Sequence, residues 1–354
     1  MVTDAPHGSK QHLLRKSGPL LDSLGHLREA GYALRPPFTY SHARITAAPW
    51  RIKDWDYYLV NDDDYAVALT FSDMGYVGLV SASVIDFAAG TSRTTSDMVP
   101  LPMGRMGVPA SSDEGDIEWS SRRSRVSWRH TPAGRRLSFF MADFDDGEDL
   151  EVEVLLDQEP RDSMVICTPW DDDAAAFYYN RKVIGMRARG GFRRGALFHE
   201  FADPGSFGLL DWGRGVWTYD NTWYWAAAQG LQAGHVVGLN LGYGFGDTSA
   251  ASENMAFVDG IAHKLGRVDL GIPRQADGTY DYLAPWHMTD DEGRLDLTFS
   301  PAIDRTDLID VANAIVSDQH QVFGTLDGQV VLDDGSTLDI VGLRGSAEHI
   351  HNKY

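Results

Sequence analysis

From Arg51 onward, apolar positions recur every second residue and are broken at short intervals by Gly, Asp and Asn, the signature of half-buried strands rather than helices. Leu150-Glu151-Val152-Glu153-Val154 alternates strictly, with its acids toward water. Trp55 to Val60 runs into Asn61-Asp62-Asp63-Asp64 and resumes at Tyr65 to Phe71, which predicts a hairpin. Further strands are expected at 75–85, 122–128, 135–144 and 149–157. A second series is expected at 177–184, 192–200, 216–228, 235–243, 253–258, 262–270, 294–300, 319–326, 329–332 and 337–344. Asp259-Gly260, Asp327-Gly328 and Asp334-Gly335 predict hairpin turns. Residues 90–115, rich in Ser, Met, Pro and Gly, read as a long loop. The leucines between residues 10 and 34 predict a short helix or a packed arm, ended by Pro36-Pro37.

Strand–helix alternation is absent, so a doubly wound parallel sheet is excluded. The expectation is a mainly β protein of two packed antiparallel barrel or sandwich units with few short helices. An N-terminal arm would cover 1–48, a first β unit 49–190 and a second β unit 191–354, the last carrying an aromatic pocket.

Charge narrows the partners. The chain of 354 residues has a formal net charge of −20, which disfavours nucleic acid and anionic lipid surfaces. The one cysteine, Cys167, rules out an internal disulfide and cysteine-based metal sites. Met1 to Gly8 lacks the pattern of a signal peptide. Asn221 to Gly246 is uncharged but too rich in Gly and polar residues for an integral membrane segment, and reads as two strands joined by a Gly turn. A cytoplasmic location follows by default, and the oligomeric state stays open. Phosphate loops, nucleophile elbows and dinucleotide fingerprints are absent. His349-Ile350-His351 beside Glu348 reads as a solvated strand rather than a zinc site. No metal and no cofactor are called for.

The densest chemistry lies in residues 210–225, which hold four of the ten tryptophans. Trp217, Tyr219, Trp223 and Trp225 share a parity and would form one aromatic wall, beside Trp212. Asp211 and Arg214 flank it, and His199-Glu200 precede it. Asn240, Tyr243, Glu253, Asn254, His263 and Lys264 follow on neighbouring strands, and their side chains would converge if those strands pair. A carboxyl in a poorly solvated aromatic pocket is a proton donor near neutrality. Asp211 or Glu200 is the candidate acid, oriented by Arg214, Tyr219 or His199.

Several strings occur in a familiar order: Gly31-Tyr32-Ala33 with Pro36-Pro37, Arg51 to Tyr58, Asp211-Trp212-Gly213-Arg214-Gly215, Asn240-Leu241-Gly242, Glu253-Asn254, His263-Lys264-Leu265, Val322-Phe323-Gly324 and Gly345-Ser346-Ala347-Glu348. Together they resemble the bacterial family known as domain of unknown function 2804, over nearly the whole chain. More distantly, the Trp-containing strand start and the aromatics after it resemble the carotenoid 1,2-hydratase and tocopherol-cyclase-like proteins, although no His flanks Trp212. That resemblance implies a lipocalin-like two-barrel architecture and acid-assisted chemistry on an alkene or polyene.

Three functions remain open. The first is a cofactor-independent lyase or isomerase that hydrates, cyclises or isomerises a small apolar, terpenoid- or polyene-like molecule. The second is a lipid or small-ligand carrier, and the third a carbohydrate-active protein. An acid in an apolar cavity favours the first, a cavity without ionisable groups the second, and a carboxylate pair at hydrolase spacing the third.

Overall fold

The structure is a computed structural model describing residues 11–170, 172–311 and 315–353. The first ten residues of the arm lie outside the described residues. Two curled antiparallel sheets make up most of the molecule, beside a small parallel pair, Gly18–Pro19 with Phe38–Thr39. In the first, the strands order as Thr91–Pro100, Val77–Asp86, Tyr65–Asp73, Ile52–Asn61, Phe207–Val216, Asp173–Arg194, Glu148–Leu156, Gly134–Asp145, Ser124–Thr131 and Ile117–Ser120. In the second the order is Ile261–Lys264, Met255–Val258, His235–Tyr243, Asp220–Gln232, Thr337–Lys353, Ile315–Val331, Leu295–Val311, Trp286–Asp290 and Val268–Asp269. No helix among the described residues is long and apolar enough to cross a membrane.

Three apolar layers follow from side-chain alternation. Leu69, Trp128, Phe139, Val152 and Trp212 fill the hollow of the first sheet. Leu239, Leu241, Trp286, Phe299 and Val322 fill the hollow of the second. A third layer, with Leu59, Ala68, Tyr178, Leu209, Trp225, Ala227 and Phe323, lies where the convex faces of the two sheets meet. Central strands are therefore buried on both faces. All ten residues of Phe207–Val216 are buried, and its sequence accordingly lacks alternation.

Three expectations need correction. Thr91–Pro100 is a strand, not part of a loop; it is an edge strand with hardly any apolar side, so no period of two marks it. Asp327-Gly328 is not a hairpin turn but an irregularity inside the long strand Ile315–Val331, where Gly328 adopts φ +139° against the Asp296 carbonyl. The change of sheet falls at residues 217–219 rather than at 190/191, because Asp173–Arg194 is one 22-residue strand. It bends at Gly185, φ +84°, where the register with Phe207–Val216 shifts. Of the two alternatives for the arm, its leucines form no helix but an extended, bridged segment with Leu14, Leu20 and Leu21 buried.

Candidate active site between the sheets

The charged residues of interest gather in the layer between the sheets. Neighbouring strands of the first sheet place Tyr57, Asp211 and Lys182 side by side in one row. Lys182 and Asp211 form an ion pair at 2.9 Å, and the Asn180 amide donates to the other Asp211 oxygen at 2.6 Å. The facing row of the second sheet runs Gly242, Trp225, Glu348, Gln321 and Arg305. The Lys182 ammonium sits 4.0 Å above the Trp225 ring and so joins the two rows.

Glu253 enters from the short connection before Met255–Val258. Its carboxyl occupies the space left by the missing side chain of Gly242, where a Cβ would fall 1.9 Å from Oε1. Asn240 fixes this arrangement: it accepts from the Trp225 indole at 2.7 Å and donates to the Glu253 carbonyl at 2.8 Å. Trp225 is thus flanked by two carboxyls, Glu253 over Gly242 and Glu348 on the opposite neighbouring strand.

Burial governs the electrostatics. Glu253 is 3% exposed, and neither carboxyl oxygen has a hydrogen-bond partner among the described residues. Desolvation pushes its pKa up to about 7 against the pull of Lys182, with Asp211 adding to the rise. Glu348 is likewise pushed up to about 7 by burial; Gln321 donates one weak hydrogen bond to it at 3.3 Å. With both glutamates protonated, Lys182 and Asp211 balance each other, so the neutral forms answer the cost of burying three carboxyls around one lysine. The Tyr178 hydroxyl and Asn180 Oδ1 are also buried without partners among the described residues. Buried polar atoms without partners, these four included, call for a ligand or a water as their explanation, and others lie elsewhere in the molecule.

Aromatic rings close one side. Tyr178 stacks on Phe245 at 4.7 Å, Trp217 meets Trp223 edge-on at 5.0 Å, and Trp55 and Trp170 pack on Trp217. Tyr57 meets Trp225 edge-on at 6.2 Å. Trp217, Trp223 and Trp225 thus contribute to one aromatic layer, whereas Tyr219 lies on the link between sheets and is 54% exposed.

Of the sequence-derived candidates, Asp211, Trp217, Trp223, Trp225, Asn240 and Glu253 come together here. Others do not. Trp212 and Arg214 point to the opposite face, into the hollow of the first sheet, because strand neighbours alternate. There Arg214 pairs with Asp56 at 2.7 Å and lies over Trp212, rather than orienting Asp211. His199 bonds Asp62 at 2.7 Å on a separate hairpin, and Glu200 is exposed beside it. Tyr243 stacks on Tyr224 on the concave side of the second sheet. Asn254 accepts from the Gly242 amide, and the Lys264 ammonium donates to Ser252 and to two carbonyls, so both brace the segment carrying Glu253. His263 sits 3.5 Å from Asp333.

Lys182, Glu348, Tyr178, Asn180 and Tyr57 were not singled out from sequence. The available signal was Glu348 inside a family string; the strand Asp173–Arg194 also carries Arg181, Arg187 and Arg189, so Tyr178, Asn180 and Lys182 did not stand out in it. In the H-x-H segment, His349 bonds the Tyr282 hydroxyl and His351 bonds Asp220.

Fold and site define a β protein of two curled antiparallel sheets with an acid cluster sealed between them. The chain belongs to the family described as Domain of unknown function (DUF2804), whose model matches residues 11–354. No curated protein matches it. Among solved structures, a candidate AttH from Nitrosomonas europaea is similar with a TM-score of 0.53 and 13% identity, over 89% of this chain and 98% of that one. Kievitone hydratase from Nectria haematococca scores 0.46 with 10% identity, over 85% and 88% of the two chains. CghA scores 0.42 with 10% identity, over 96% and 97%. The first of these likenesses is one of fold.

Proposed function

We propose that this protein is a cofactor-independent enzyme that protonates a largely apolar, unsaturated small molecule, with Glu253 as the acid. One observation carries the reading: two buried carboxyls, each at about 7, flank the Trp225 ring in an apolar layer. Near neutrality each is divided between acid and base forms, the condition for proton transfer in both directions.

In the forward step the Glu253 O–H bond breaks. Its proton goes to a substrate carbon, and the alkene π pair forms the new C–H bond. The carboxylate left behind lies within electrostatic reach of Lys182, which lowers the cost of giving up the proton. A carbon next to the cationic centre then gives its proton to the Glu348 carboxylate and the C–H pair becomes a new π bond, which completes an isomerisation, or a cyclisation where a second π bond has first attacked the cation; proton exchange with water returns both glutamates to their starting forms. Alternatively the cation takes a water whose proton passes to Glu348, completing a hydration. Aromatic faces around the site favour the developing positive charge. Asp211 holds Lys182 in place and is a positioning residue.

The test begins with mass spectrometry of small molecules that co-purify with the protein. Turnover of those molecules, and of a terpenoid and polyene panel, is then measured in deuterium oxide. Wild type should incorporate one solvent deuterium per product. Glu253→Gln should retain ligand and lose about 10²-fold or more in turnover. Full activity in Glu253→Gln, or product without solvent deuterium, contradicts the assignment.

A further inference from the structure

The row of side chains that carries Glu348 continues past it. Arg305 on Leu295–Val311 stands opposite Gln321 on Ile315–Val331, and Gln321 stands opposite Glu348 on Thr337–Lys353. Arg305 touches both sheets. One arm of its fork donates to the Gln321 side-chain oxygen at 2.7 Å. The other donates at 2.9 Å to the Ser83 hydroxyl of the first sheet, which shares a 2.8 Å hydrogen bond with Thr94. Neutral oxygens thus hold the guanidinium from two sides, and its charge favours the ionised form of Glu348.

Hydrogen-bond polarity then fixes Gln321. A guanidinium only donates, so the amide must turn its oxygen toward Arg305 and its NH2 the other way. That NH2 lies 3.3 Å from a Glu348 carboxyl oxygen and 3.4 Å from the Tyr57 hydroxyl. A donor aimed at a carboxyl favours its ionised form. Glu253, on the other side of Trp225, receives no such donor, since neither of its oxygens has a partner among the described residues. The remaining charges do not undo this difference. Lys182 lowers and Asp211 raises the pKa of both glutamates. Lys264 attracts Glu253, yet burial holds its own pKa down to about 7, so near neutrality it is only partly charged. Tyr57 and Tyr178, which also face the acids, are kept neutral by burial. An ionised Glu348 in turn raises Glu253, so the loss of one proton secures the other.

We propose that Arg305, acting through Gln321, is a positioning residue that presents a fixed N–H to the Glu348 carboxylate and so makes Glu348, rather than Glu253, the base of the pair. Before turnover the proton then stays on Glu253, and Glu348 stands ionised to take the proton that the cation or its water releases. The catalytic meaning of this order rests on the acid-site reading; the order of ionisation itself is independent of it.

The experiment is an NMR titration of the full chain labelled with 13C at the glutamate side-chain carboxyls, with the two resonances assigned by their loss in Glu253→Gln and Glu348→Gln. In wild type the Glu348 resonance should titrate at lower pH than that of Glu253. Arg305→Leu removes the charge and frees the amide to turn, so it should raise the Glu348 midpoint by about one pH unit. Gln321→Leu removes the N–H alone; it should raise the midpoint by less, and it serves if Arg305→Leu fails to fold. Arg305→Lys, which can still only donate toward Gln321, should restore the wild-type order. Glu253 ionising first in wild type, or a Glu348 midpoint unmoved in a folded variant, would overturn the proposal. Turnover of a substrate from the terpenoid and polyene panel separates the two readings. With Glu348 as the base, the acidic limb of the rate profile should move up in Arg305→Leu by as much as the Glu348 midpoint does. If the midpoint moves and the limb does not, the order of ionisation stands and the acid-site reading falls.

Discussion

Glu253 is an ordinary glutamate whose surroundings make it unusual. Its folded pKa of about 7 exceeds the ordinary 4.5, so the folded state binds this proton more tightly than the unfolded chain does. The resulting stability is complete below about pH 4.5 and is lost as pH rises through 7, by about 3 kcal/mol at most. His349, held down to about 4 by burial, acts oppositely over an overlapping range, so the effect is read as a difference between proteins. Urea midpoints of wild type minus those of Glu253→Gln should fall from pH 5 to pH 8; a flat difference would contradict the buried neutral acid. Asp211→Asn leaves Lys182 buried without its counter-charge and should cost about 3 kcal/mol in urea denaturation. Cys167 is fully buried, and burial pushes its thiol well up, so folded protein should resist an aromatic disulfide reagent that reacts promptly in urea. The sequence pointed to Asp211 and the tryptophans because charges beside aromatics stand out. It could not reveal that residues 211 and 214 face opposite ways into different layers, nor that Glu253 rather than Asp211 lacks hydrogen bonds.

Strands carry the next level of constraint. Gly242 sits on the central strand His235–Tyr243 to leave room for a carboxyl rather than to make a turn. Gly242→Ala should destabilise by about 1–3 kcal/mol, as overpacking does. In a Glu253→Ala background the same substitution should cost much less, since the clashing oxygens are gone. A double-mutant cycle by urea denaturation measures that coupling, and an additive result would place Glu253 elsewhere. Hairpins with one wet face, such as Gly134–Asp145 with Glu148–Leu156, were legible because their alternation is strict. Strands buried on both faces, and the polar edge strand Thr91–Pro100, carry no such pattern, so their roles depended on neighbours distant in sequence.

For the whole molecule, the consequence is that the two sheets cannot be independent. Their convex faces share one apolar layer, and Lys182 from the first sheet lies against Trp225 and the acids of the second. Tryptophan fluorescence and far-ultraviolet circular dichroism should therefore report one coincident unfolding transition; two separated transitions would mean that the layer contributes little. Two β units were legible from hairpin patterning. The seam between them was not, because a single strand, Asp173–Arg194, spans the point at which the sequence pattern suggested a division. The proposed chemistry needs a neutral carboxyl in that seam. Protein labelled with 13C at the glutamate side-chain carboxyl, titrated by NMR in wild type and Glu253→Gln, tests it most directly. A wild-type resonance that titrates near pH 7 and is missing from Glu253→Gln is the expected result; all glutamate resonances titrating below pH 5 would contradict it.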